Sequence, residues 1–236
     1  MRIIEKYLET LYEKSLELNH RNIFSLLEKN QNAFFLDLGC DDGKSALKIA
    51  ETIDTKNIYG VDIVDERIEL AKKNGVTVKK FDLNFKFEFD DDYFDVIVAD
   101  QTIEHLYNLD NFISEIYRIL KPSGYVIVSK ENASSWCNIF ANTMGWQSFS
   151  STNISDKKQG IGNPLALHRN EVMSLKSWKH LSVCSILGIK ELFEMYGLKF
   201  IKLKGAGYFP LSGSFGNIDK THSHFIVFKF VKETNY

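Results

Sequence analysis

Three carboxylates stand at or just after the ends of short apolar runs. Asp37 lies in Phe34-Phe35-Leu36-Asp37-Leu38, Asp62 closes Asn57-Ile58-Tyr59-Gly60-Val61-Asp62, and Asp82 follows Val76-Thr77-Val78-Lys79-Lys80-Phe81. An ionised carboxylate only accepts hydrogen bonds, so such tips suit ammonium, hydroxyl and amine donors. Directly after the first run come Gly39-Cys40-Asp41-Asp42-Gly43 and a helical stretch from Ser45 to Ala50. Gly39 and Gly43 are expected to let the backbone approach a ligand where a Cβ would collide. The new helix points free N–H groups at that gap, which suits an anionic group. Asp41 and Asp42 oppose a pyrophosphate there, and the spacing is neither G-x-G-x-x-G nor G-x-x-x-x-G-K-[ST]. A ligand of little negative charge, with an amino-acid end and a sulfonium, fits better. Asp62 lies about twenty residues past the glycine turn, the offset that sets an acid beside the ribose of an adenosine-type ligand.

These tips need a scaffold. The three runs alternate with helical segments, at 45–50 and at 66–73, where Asp65 is the expected N-cap that leaves Asp62 free. Val76–Leu83 is read as the third strand and the continuous apolar run Phe94–Asp100 as the fourth. Asn108 or Asp110 opens a helix through Leu120, Lys121-Pro122-Ser123-Gly124 stops it, and Tyr125–Ser129 is the fifth strand. Alternation of this kind implies a parallel sheet with right-handed crossovers. Before the first strand, residues 3–18 carry Ile4, Tyr7, Leu8, Leu11, Tyr12 and Leu16 on one helical face. That helix is expected to dock on the core or to serve as a lid. Asn19 or His20 is expected to break it, with a second helical stretch over 21–29. The rhythm stops at Lys130. Residues 131–180 hold Trp136, Trp146 and Trp178 without clear period, and an insertion of this length is functional or mobile. Its apolar rings could line a substrate pocket or simply pack the insertion down. Ser185 then caps a helix over 186–196 before Gly197, and 198–204 and 224–231 read as an antiparallel hairpin on the sheet edge.

The chain has 236 residues, enough for one domain with a sizeable core, and 44% are hydrophobic. A net charge of −2 gives no reason to expect a nucleic-acid or anionic-membrane partner. Cys40, Cys137 and Cys184 are odd in number and lack metal spacing, which points to a reduced, cytoplasmic setting. Met1–Glu9 is charged and no long apolar run follows, so neither a signal peptide nor a membrane span is expected.

Taken together, Asp37-Leu38-Gly39-Cys40-Asp41-Asp42-Gly43, Gly60-Val61-Asp62, Asp82-Leu83, Phe89–Ile97, Glu104-His105-Leu106 and Leu120–Gly124 resemble class I S-adenosylmethionine-dependent methyltransferases. The subgroup is the small-molecule one that includes quinone-pathway O-methyltransferases. The resemblance covers roughly residues 20–130, and the closing antiparallel strands are similar as well. It implies a Rossmann-like, seven-stranded, mostly parallel α/β sheet with helices on both faces and a C-terminal antiparallel hairpin. The whole would be one methyltransferase-like domain over 1–236, with an N-terminal helical lid at about 1–30 and a substrate-side insertion at about 131–180. S-adenosylmethionine is the implied cofactor. Asp37, the Gly39 backbone and the turn residues Cys40, Asp41 and Gly43 would hold its amino-acid end. Asp62 would take the ribose hydroxyls, Asp82 the adenine amine, and Leu83 and Ile63 the two ring faces, with Asp100 and Gln101 near the sulfonium. The family usually has glycine where Asp41 stands. Asp41 is therefore expected to hydrogen-bond near the amino group or ribose, or to narrow the site.

Methyl transfer is an in-line displacement, in which positioning does most of the work. If the acceptor is a hydroxyl, a base helps, and His105 is the candidate, with His180 and His168 as rivals. His222 and His224 could share a metal, but a surface strand is the expected reading, with no metal. After the fourth strand the run is Asp100-Gln101-Thr102-Ile103, without the Pro-Pro motif of amino-methylating nucleic-acid enzymes, and there is no Pro-Cys nucleophile. A small-molecule acceptor and O-methylation are expected. The competing expectations are a non-catalytic adenosyl-binding or interaction protein on the same fold, and an NAD-type oxidoreductase.

Overall fold

Phe34–Leu38 (β1), Asn57–Asp62 (β2) and Phe94–Asp100 (β4) are apolar on both faces, and each side of the sheet is covered by helices. In this computed structural model, residues 2–155, 157–172 and 179–233 are described. The remaining strands are Thr77–Lys80 (β3), Leu120–Glu131 (β5), Leu198–Ala206 (β6) and Phe225–Lys232 (β7). The helices are Arg2–Phe24 (α1), Lys44–Ile53 (α2), Asp65–Lys73 (α3), Leu109–Ile119 (α4), Trp136–Thr143 (α5) and Ile186–Met195 (α6). The sheet runs β3-β2-β1-β4-β5-β7-β6. Its first five strands are parallel, and β7 lies antiparallel between β5 and β6. Strand order reverses between β1 and β4, which is where ligands bind in open α/β sheets.

Alternate side chains of one strand feed two cores. Ile97 and Ala99 of β4 join α4 (Phe112, Ile113, Ile116) and α6 (Ile189, Phe193). Val96 and Val98 join α2 (Ala46, Ile49, Ile53) and Ile23 of α1. Each such side chain, fully buried, contributes about 1.5–3 kcal/mol.

Several expected boundaries move. The helix expected to break at Asn19 or His20 runs unbroken from Arg2 to Phe24. Asn19 is fully buried and its amide donates to Ser129 Oγ at 2.7 Å, so tertiary partners replace the turn it was expected to make. The third strand stops at Lys80, and Asp82 instead accepts from Asn84 N at 2.9 Å in a local turn. Asp65 does not cap α3; its carboxylate meets Lys80 Nζ at 2.5 Å, and Val64 is the cap residue. The fifth strand is longer than expected, reaching from Leu120 to Glu131. Helix α5 forms inside the stretch expected to be irregular, while Trp178 lies outside the described residues. Asn108 and Ser185 do cap α4 and α6 through their side chains.

Candidate active site

The turn after β1 folds back on the tip of β2. Asp41 N donates to Asp62 Oδ2 at 3.0 Å, and Ile63 N and Val64 N donate to Asp62 Oδ1 at 2.8 and 2.9 Å. Asp62 is therefore not free, as sequence suggested. Three of its roughly four acceptor sites are taken by backbone, leaving about one for a ligand. Gly39 and Gly43 adopt φ of 83° and 79°. A Cβ on Gly39 would lie 2.7 Å from Thr102 Oγ1, and one on Gly43 would lie 2.9 Å from Val76. The glycines answer to the protein's own packing and left-handed backbone. Thr102 Oγ1 donates to Leu38 O at 2.7 Å and ties the tip of β4 to that of β1.

Asp41 is itself left-handed at φ 46°, a conformation Asp tolerates better than most residues. Its carboxylate pairs with Arg67 Nε at 3.1 Å. Cys40 is buried, with Sγ against Gly60, so only its backbone faces the turn. Asp37 is 4% exposed and, among the described residues, its carboxyl receives no hydrogen bond. Burial, then the negative charges of Asp100, Asp62 and Asp41, push its carboxyl up to about 8. Ile63, beside Asp62, is 45% exposed, whereas Leu83 is buried behind Asp82.

At the end of β4, Asp100 meets α1. Asn19 Nδ2 donates to its Oδ1 at 3.4 Å, and His20 Nε2 lies 3.3 Å from its Oδ2. That contact, opposed by burial, raises the His20 pKa. The Gln101 amide is read with its nitrogen toward Glu104 Oε1 (3.2 Å) and its oxygen toward Ser129 Oγ (3.0 Å). His105 donates from Nδ1 to Lys179 O at 3.0 Å and packs edge-on against His180, ring centres 5.1 Å apart. Burial lowers its pKa. It is not among the residues lining the large cavity nearby, whereas its rivals His180 and His168 are.

That cavity, of about 830 Å³, opens past the end of β5. Its wall is mostly apolar and comes from three distant segments: Tyr7, Leu8 and Tyr12 of α1; Trp136, Phe140, Phe149 and Leu165 of the 131–180 stretch; and Tyr208–Leu211 between β6 and β7. At its inner end stand Glu131, His180 and His224. His224 was expected on a surface strand but precedes β7 and is 5% exposed, because Tyr12, Phe209 and Phe225 pack around its ring. Among the described residues no three His, Cys, Asp or Glu side chains are placed to hold a metal ion. No helix among them is long and apolar enough to cross a membrane.

Sequence reasoning missed Tyr12, Glu104, Glu131 and His224 as residues of this region. The one available signal was Lys130-Glu131, two charges closing an apolar strand.

A family model described as a methyltransferase domain matches residues 7–203. The ubiquinone biosynthesis O-methyltransferase of Rickettsia prowazekii is 26% identical over 134 residues, 52% of this chain and 52% of that protein. The sterol 4-C-methyltransferase of Caenorhabditis elegans is 32% identical over 124 residues, 49% of this chain and 36% of that protein. The chain thus spans about half the length, or less, of these curated relatives. A chain from the complex of the Haloferax volcanii Trm112 methyltransferase activator with a methyltransferase superposes with a TM-score of 0.65 at 13% identity, covering 98% of this chain and 94% of that one. That likeness speaks for the fold.

Proposed function

We propose that this chain, which belongs to the methyltransferase domain family, transfers a methyl group from S-adenosylmethionine to a hydroxyl of a small, largely apolar acceptor. The observation that carries this reading is the side-by-side placement of an acidic cluster of strand tips and a large apolar cavity with ionisable groups at its inner end. S-adenosylmethionine supplies a methyl on a positively charged sulfur, which is already a good leaving group.

The donor set fits such a ligand. The charges of Asp100, Asp62 and Asp41 raise the cost of ionising Asp37, whose carboxyl has no hydrogen-bond partner among the described residues. A cation or ammonium placed there relieves that repulsion, whereas a pyrophosphate adds to it. Asp37 and the Gly39 backbone hold the amino-acid end. Asp62 receives a ribose hydroxyl on its remaining acceptor site. Asp82 has one oxygen engaged by Asn84 and offers the other to the adenine amine. Exposed Ile63 covers the ring. Asp100 and Gln101 stand on the methyl side, and α1 closes over them through Asn19 and His20 as a lid. The wall of Tyr7, Leu8 and Tyr12, of Trp136, Phe140, Phe149 and Leu165, and of 208–211 takes the acceptor's apolar body and keeps water from the reacting atoms.

Calorimetric titration with S-adenosylmethionine tests this directly. The wild-type protein binds it, and Asp62→Ala weakens binding about 100-fold, since a charged acceptor is lost and three backbone N–H groups lose their partner. Thermal melting of the same variant separates loss of binding from loss of fold. Binding of NADH in place of S-adenosylmethionine would overturn the reading.

A further inference from the structure

Glu131 is the last residue of β5, two positions past Ser129, whose partner across the sheet is Asp100. It is 8% exposed and lines the inner end of the cavity. Its backbone N–H donates to Glu104 Oε1 at 2.7 Å, which fixes where the strand ends and where the side chain starts. Two imidazoles flank the carboxylate without reaching it. His180 Nδ1 is 3.9 Å from Oε2 and His224 Nε2 is 4.0 Å from Oε1. Each ring is held from elsewhere: His180 Nδ1 donates to Ser150 O at 2.8 Å, and His224 Nδ1 is 3.3 Å from Cys137 Sγ. Glu131 Oε2 and His224 Nε2 are left without hydrogen-bond partners. Buried polar atoms rarely stay unpaired, because each costs the desolvation it is not repaid for. A buried carboxylate flanked by two imidazoles that do not pair with it, at the inner end of an apolar chamber, describes the seat of a polar head on an apolar body.

We propose that Glu131 is the catalytic base for an ionisable hydroxyl of the acceptor. The hydroxyl donates to the Glu131 carboxylate, with the His224 ring beside it on the same cavity wall. As the acceptor oxygen bonds to the methyl carbon, the carbon–sulfur bond breaks with its electron pair going to sulfur, and the hydroxyl proton passes to Glu131. The oxygen becomes far more acidic as that bond forms, so a weakly basic carboxylate suffices.

The groups facing Glu131 agree with the role. Glu104 comes from the turn after β4, Lys130 from β5 itself, Tyr12 from α1, Ser150 and His180 from the 131–180 stretch, and His224 with Cys137 from the approach to β7 and from α5. Burial pushes Glu131 up, but His224 and His180, with Ser150 and Lys130, outweigh it and hold it below the usual carboxylate range. It is therefore ionised when the acceptor arrives. Burial pushes its neighbour Glu104 the other way, up to about 7. Divergence of two adjacent carboxyls accords with the geometry, in which Glu131 lines the cavity and Glu104 does not.

The proposal rests on the methyltransferase reading, and the test separates the two. Binding of S-adenosylmethionine and of para-nonylcatechol is measured by calorimetry, and labelled methyl transfer between them is followed across pH, for wild type, Glu131→Gln and Glu131→Asp. Expected is binding of both compounds within about twofold in Glu131→Gln, a fall in kcat of about 100-fold and loss of the acid limb of the rate profile. Glu131→Asp, which keeps the charge but draws it back, shows a smaller fall. A rate within about threefold in Glu131→Gln overturns the assignment, as does a fall in kcat explained by lost cofactor binding. Cofactor binding without any transfer to the catechol in wild type also overturns it. Failure of wild type to bind S-adenosylmethionine sinks the methyltransferase reading instead.

Discussion

Asp37, Asp62 and Asp82 stand at or just beyond three strand ends that follow one another along the chain, whereas Tyr12, Glu131, His180 and His224 are gathered from its beginning, middle and end. The strand tips are positioned by backbone: Asp41 N, Ile63 N and Val64 N fix the Asp62 carboxylate, and Thr102 clamps Leu38. The cavity is positioned by side chains packing on side chains, such as Tyr12 edge-on to His224 and Phe140 edge-on to Trp146. The first kind of site changes little with sequence as long as the turn survives. The second can be refitted one ring at a time, so the cavity is where sequence is free to drift while the strand tips stay put.

That contrast can be broken by substitution. Gly39→Ala has the largest expected effect after the Asp62 and Glu131 variants. It puts a Cβ 2.7 Å from Thr102 Oγ1 at a residue with φ 83°, and so costs about 3 kcal/mol of stability, read as a fall in Tm. A Tm within a degree or so of wild type would mean that the turn is not the rigid half of the molecule. Phe140→Ala removes a half-exposed ring from the cavity wall. It should weaken binding of an apolar acceptor about tenfold and leave S-adenosylmethionine affinity unchanged. Equal losses for both ligands would erase the division between the two ends.

The smallest effect sharpens the electrostatic side. With its carboxyl at about 8, Asp37 is mostly protonated at neutral pH. A cation bound beside it favours the ionised form and lowers that value, so binding near neutrality releases up to one proton. The release fades well above pH 8, where the carboxyl is already ionised without ligand. Calorimetry in buffers of different ionisation enthalpy counts that proton, and uptake in place of release would contradict a cationic ligand at Asp37.

What could be read from sequence follows the same line. The β1 turn, β2, β4, the Asn108 and Ser185 caps and the closing hairpin were legible because local periodicity and cap chemistry specify them. Asn19 was misread as a stop because only Ser129, more than a hundred positions away, explains its place inside a helix. Asp62 looked free because the three N–H groups it holds belong to neighbouring loops, and loop hydrogen bonds leave no trace in periodicity. His224 looked like a surface residue because strand alternation says nothing about a helix from the other end of the chain lying over it.

Helix α1 carries Tyr12 on the wall of the acceptor chamber and, two turns later, Asn19 and His20 at the Asp100 carboxylate. It is a single uninterrupted rod that joins the two as a crossbar. Any tilt that widens the chamber for a bulky guest strains the latch at Asp100, and whatever tightens that latch narrows the way in. Both places thereby rest on one helix of 23 residues, and a change at either end is felt along the same rod.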